Sequence, residues 1–133
     1  MKEVTVVNIE DETKDNPNFR KILWTGENLQ VSLMSLQPGE DIGLEVHPDH
    51  DQFFRVEKGS GQFVSGEAQD SLSHPVPIKS DWAVMVHKGT WHNIINTGEK
   101  PMKLYTIYGP THHEPGTIHA TKADDPHDDH EHH

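Results

Sequence analysis

Residues 37–61 read Gln37-Pro-Gly-Glu-Asp-Ile-Gly-Leu-Glu45-Val-His47-Pro-Asp-His50-Asp-Gln52-Phe-Phe-Arg-Val-Glu-Lys-Gly59-Ser-Gly61, and this stretch decides the fold. A Pro-Gly turn leads into an extended segment over 43–46. Glu45 and His47 lie two positions apart, and on a strand such residues share a face. A carboxylate beside an imidazole is a metal-ligand pair. A second strand is expected over 52–58, where Gln52, Phe54 and Val56 share the inward face. Gly59-Ser60-Gly61 then turns the chain back. Farther on, residues 81–96 read Asp81-Trp-Ala-Val-Met-Val-His87-Lys-Gly-Thr-Trp-His92-Asn-Ile-Ile-Asn96. They supply a further imidazole, His92.

Strands of four to eight residues, punctuated by Gly or Pro, run through most of the chain. Short strands are expected over 4–9, 19–24, 29–36, 62–65, 76–79, 82–87, 91–95 and 102–108, with a polar loop over 11–18. The segment 29–36 is apolar on both faces, so it is covered on both sides or bulged. No stretch carries a helical period of useful length. The expected class is all-β, a sandwich or closed barrel. The aromatic residues Phe53, Phe54, Phe63, Trp82, Trp91, Tyr105 and Tyr108 are expected mostly in its core.

Together the two quoted stretches resemble the paired motifs of the cupin superfamily. In that family a Gly precedes a His-x-His pair, a Glu follows, and a Gly comes seven residues later. Here the positions hold Glu45-x-His47, Gln52 and Gly59. The second family motif places Gly, Pro, Gly, His and Asn at set intervals; here they fall on Asp81, His87, Gly89, His92 and Asn96. Glu45, Gln52, Asp81 and His87 thus replace the family's His, Glu, Gly and Pro. The resemblance covers about residues 29–108. It implies a double-stranded β-helix, or jelly-roll, with one metal inside the barrel mouth, and a homodimer.

On that reading Glu45, His47, Gln52 and His92 surround one divalent cation. Two imidazoles and a carboxylate are the facial set of non-haem iron, and similar sets hold manganese, zinc, nickel or cobalt. His50 is a rival ligand, three residues past His47 but reorientable by Pro48. His87 is a weak candidate for a proton carrier near the site. The competing reading makes Glu45 a solvated strand residue and His47 a hydrogen-bonded core histidine. Resemblance implies a metal-dependent enzyme on a small polar substrate, of isomerase or dioxygenase type. The alternative is a non-catalytic module for a metal or a sugar-like ligand.

Length and charge narrow the field further. The chain has 133 residues, 22 Asp and Glu against 11 Lys and Arg, and a net charge of −11. That size fits one domain, and that charge argues against nucleic acid as a partner. There is no cysteine, hence no disulfide, thiolate ligand or Cys nucleophile. No long apolar run suggests a membrane span, and the charged N-terminus lacks the apolar core of a signal peptide, so a cytoplasmic protein is expected. Domain boundaries are expected at 1–110 for the barrel and 111–133 for a tail. That tail holds seven of the twelve histidines among acidic residues, with disorder expected from Asp124 onward and either delivery or adventitious binding of metal open to it.

Overall fold

The computed structural model describes residues 4–110 and 113–125. A short helix, α1 (Ile9–Asp15), precedes the strands β1 (Arg20–Thr25), β2 (Gln30–Leu36), β3 (Asp51–Lys58), β4 (Ser60–Gly66), β5 (Val76–Lys79), β6 (Ala83–Val86), β7 (Trp91–Ile95), β8 (Met102–Gly109) and β9 (Ile118–His119). They form two sheets of antiparallel strands, ordered β6-β3-β8-β2-β1-β9 and β5-β4-β7. This is the all-β class expected from the strand pattern, in the double-stranded β-helix form that the resemblance implies. Among the described residues, no helix is long and apolar enough to cross a membrane.

The core lies between the sheets. Met34, Leu36, Phe54, Val56, Met102 and Leu104 from the larger sheet meet Ile78 and Ile94 from the smaller one, all buried. Alternation along β8 is strict, buried at Met102, Leu104, Thr106 and Tyr108, as a half-covered strand requires. On β2 both faces are buried because α1 packs on the outer side of β2, β3 and β8.

Helix α1 corrects two expectations, the strand over 4–9 and the loop over 11–18. Its signals are local. Asn8 caps the N-terminus by accepting from the Asp11 amide at 3.1 Å, while Glu10, Asp11 and Glu12 occupy the positive end of the helix dipole and Lys14 the negative end. The expected strand over 43–46 is also absent. Two isolated bridges stand in its place, Asp41 to Ile95 and Glu45 to His92.

Two motif positions explain themselves by backbone conformation. Gly59 has φ 93°, and a Cβ there would lie 3.0 Å from the Met102 Cα. Asp81, where the family has Gly, has φ 75°. Asp is one of the few residues that adopt this left-handed region at modest cost, so the turn survives the replacement. Asn96 is a structural staple: its Nδ2 donates to the Leu36 and Lys100 carbonyls, and its Oδ1 accepts from the Gly98 amide, all at 2.9 Å.

In its C-terminal part the chain returns to the barrel. Segment 113–125 pairs through β9 with β1, and the Gln30 side chain donates to and accepts from the His113 backbone at 2.7 and 2.8 Å. The expectation of disorder from Asp124 onward meets the described residues only at Asp124 and Asp125. Asp125 is 4% exposed and ion-paired with Arg20. The remainder of that expectation, residues 126–133, lies outside the described residues. Trp82, expected in the core, is 47% exposed, because it sits at the turn before β6 rather than inside that strand.

Candidate metal centre

Glu45 and His92 are fixed side by side by their backbones. The Glu45 amide donates to the His92 carbonyl at 2.9 Å and the His92 amide returns the bond to Glu45 at 2.8 Å. Residues so paired project their side chains from the same face at close range. The Gly89 amide donates to the His47 carbonyl at 2.8 Å, so the two motifs are stitched together at a second point. Gln52 comes from the start of β3, inward beside Phe54.

The side chains converge. One ligand atom each from Glu45, His47 and His92 lies within 4.8 Å of the others, and all three residues are buried. Glu45 Oε1 is 3.1 Å from His92 Nε2 and 3.3 Å from His47 Nε2. Gln52 Oε1 is 3.1 Å from His92 Nε2. Outer contacts orient two of the donors. His92 Nδ1 lies 2.9 Å from the Thr90 carbonyl, which can only accept, so Nδ1 carries a proton and Nε2 is the ring nitrogen turned toward the centre. Gln52 Nε2 donates to Thr106 Oγ1 at 2.9 Å, turning the amide oxygen inward. The donor set therefore fits a divalent cation.

The four residues proposed from the sequence come together, whereas the rivals stand aside. His50 is outside the group, its ring 5.3 Å from that of His47 and 6.4 Å from Tyr108. Burial and the neighbouring His47 hold its pKa below the ordinary 6.5. His87 is exposed at the end of β6, on the rim of an outer groove shared with Gln52 and Tyr108.

Inside, the chamber holds about 10 Å³, room for one ion or water. Met34, Ile42 and Phe54 wall it with apolar surface, and Arg20, Tyr108 and His113 complete it. Burial pushes the Tyr108 hydroxyl far above its ordinary pKa, so it is a neutral donor or acceptor. Burial pulls the Arg20 pKa down, and Asp125 together with Tyr108 and Glu45 more than offsets it, so the guanidinium stays charged. Sequence spacing did not mark Arg20, Thr106 or Asp125, which reach the site from distant strands and the C-terminal segment.

The family model for the cupin domain matches residues 32–108. The chain belongs to the cupin family. This cupin is 55% identical over 119 residues to the uncharacterised protein YrkC of Bacillus subtilis, covering 90% of this chain and 64% of YrkC, so it spans less than two thirds of that relative. It is 43% identical over 117 residues to the uncharacterised protein L612 of Acanthamoeba polyphaga mimivirus, covering 87% of this cupin and 71% of L612. The crystal structure of BH2720 from Bacillus halodurans is similar with a TM-score of 0.90 and 56% identity over 92% of each chain.

Proposed function

We propose that this cupin holds one divalent metal ion on Glu45, His47 and His92, with the Gln52 amide oxygen as a fourth donor, and acts there as an enzyme on a small polar substrate. The observation that carries the reading is the direction of the His92 ring. With Nδ1–H committed to Thr90, Nε2 is turned to the oxygens of Glu45 and Gln52, each 3.1 Å away. Electron-rich atoms at that range need a proton or a cation among them. Protons on the imidazoles would hold the rings to Glu45 pair by pair, whereas one metal ion satisfies all four donors at a single point.

When bound, the metal supplies Lewis-acid polarisation of a substrate oxygen, or the redox chemistry of an oxygenase if it is ferrous iron. The chain's own residues do the rest. Glu45 contributes the only formal ligand charge, which suits a divalent ion. Met34, Ile42 and Phe54 exclude water. His47 and Gln52 retain 8% and 7% exposure against 1% for His92, and the His50 ring lies 5.3 Å from that of His47. Kept neutral by burial and by His47, His50 is a better placed proton acceptor for an isomerase than the exposed His87. A second reading, a non-catalytic metal-binding module, is favoured by the small size of the chamber.

Metal analysis of protein purified without a metal-affinity column tests the centre. Shortening the chain after Asp125 removes the last four histidines and leaves every described contact in place. In that background one metal per chain is expected, with Glu45→Ala and His92→Ala losing it; unchanged metal content in those variants would overturn the assignment. Iron with oxygen uptake then marks an oxygenase, zinc or manganese with substrate turnover an isomerase, and metal without turnover a binding module.

We also propose that this cupin is a homodimer. Phe53, Met85 and Ile107 line an apolar groove of about 640 Å³ on the outer face of the larger sheet, beside its edge strand β6, and Met85 is 72% exposed. A second copy covering that edge removes both liabilities.

A further inference from the structure

Arg20 is a second charged feature of the metal chamber, and the proposed metal chemistry does not use it. The side chain is 4% exposed and lines the chamber together with Glu45, His47 and Gln52. Its Nε donates to Asp125 Oδ2 at 2.9 Å, and its Nη1 reaches Ser32 Oγ at 3.4 Å. Asp125 comes from 105 residues away, at the end of the strap formed by residues 113–125. Burying both charges is costly, and apolar replacements commonly serve stability as well or better. A latch for the strap does not need one: Lys122 already joins Asp41 at the barrel rim, and β9 pairs with β1.

What a buried guanidinium does offer is a planar fork of N–H donors matched to a carboxylate. Asp125 meets that fork through one oxygen on Nε. Its other oxygen, Oδ1, points to His119 Nδ1 at 3.5 Å. The strap therefore sets a carboxylate on the guanidinium that lines the chamber, and with its His113 in the wall the space is only about 10 Å³. A ligand's carboxylate must therefore compete with Asp125 for Arg20.

We infer that Arg20 is the receptor for the carboxylate of a small organic acid that enters the chamber, and that Asp125 is the chain's own occupant of that receptor. This deepens the proposed function by naming the substrate class as small carboxylates. It rests on that reading only for the ligand's second contact, the metal; the Arg20 pair stands without it.

Acetate is the probe, titrated by calorimetry into full-length wild type, Asp125→Asn and the charge-neutral double variant Arg20→Gln/Asp125→Asn, each stripped of metal and then reloaded with zinc. Removing the occupant restores the receptor, so Asp125→Asn should bind acetate roughly tenfold more tightly than wild type, stripped or loaded, and the double variant should lose that gain. Equal affinity in Asp125→Asn and wild type, or a gain retained by the double variant, would overturn the proposal. Zinc content of the same samples reports separately on the metal centre: a wild type that takes up no zinc sinks the centre and leaves the stripped titrations readable. Should Asp125→Asn fail to fold, wild type alone decides. Acetate must speed hydrogen exchange at the Ile118 and His119 amides of the strap, and unchanged exchange at saturating acetate is the contrary result.

Discussion

Thr106 sets how well Gln52 can serve a metal. The hydroxyl accepts a hydrogen bond from Gln52 Nε2 and is itself fully buried, so Thr106→Val frees the amide to rotate without opening a cavity. Partners of this outer kind are commonly worth 10–100-fold in metal affinity. A fall of about tenfold is expected in competitive chelator titrations, with the thermal transition of the metal-free protein little moved. Gln52→Glu should act oppositely, because it doubles the formal ligand charge; an unchanged affinity in both variants would remove Gln52 from the ligand set. Glu45 and His47 are legible in the sequence because two-residue spacing on an extended segment fixes a common face. His92 needs the family resemblance to supply its partner stretch. Arg20 and Asp125 are not legible at all: nothing in a lone arginine on a strand, or an aspartate in an acidic tail, signals a contact across 105 residues.

At the level of elements, the strands follow their alternation closely, and β5 and β7 begin and end where the pattern places them. The misses have local causes. Helix α1 is seven residues long, too short to display a period, and only its cap and charge order announce it. Residues 43–46 are apolar enough for a strand, yet Gly43, with φ 95°, breaks the extended run into two bridges. Asp81 keeps the turn its family usually builds with Gly, which makes a clean test. Asp81→Gly should leave stability nearly unchanged, while Asp81→Val should cost about 1–2 kcal/mol by forcing a β-branched residue into the left-handed region; chemical denaturation separates the two, and equal midpoints would mean the turn relaxes. The strap carries its own pH dependence. Burial raises the Asp41 pKa, but hydrogen bonds from Lys122 and Asn93 outweigh it and hold the carboxyl below its ordinary 3.8. A lowered folded pKa gives stability that is complete above the ordinary value and lost as pH falls through the lowered one. Strap amides in wild type should therefore begin to exchange faster only as pH drops below about 4, whereas in Lys122→Ala they should exchange faster already at neutral pH and respond less to acid. Identical profiles would show that Lys122 does not hold the strap.

For the molecule as a whole, two properties pull against each other: an apolar groove at a sheet edge, and a net charge of −11 on each chain. Burial of the groove against a second copy gains hydrophobic free energy in proportion to area, while two acidic chains repel until salt screens them over about 8–10 Å. The assembly should consequently tighten as ionic strength rises, the reverse of an interface built on opposite charges. Met85 is the residue to change, since it is 72% exposed in the single chain and pairs on β6 opposite Phe53 of β3. Fully burying a methionine is worth about 1.5–3 kcal/mol, and a two-fold interface presents the residue twice. Met85→Glu removes that gain from both copies and sets buried carboxylates in its place, so the dimer dissociation constant should rise on the order of a hundredfold or more. Light scattering across a dilution series is expected to give a dimer for wild type and a monomer for Met85→Glu, with the metal content of the two alike. A wild type that is monomeric at every concentration, in low salt and high, would mean that the groove faces water or a different partner; a Met85→Glu variant that stays dimeric would move the interface to another face of the barrel.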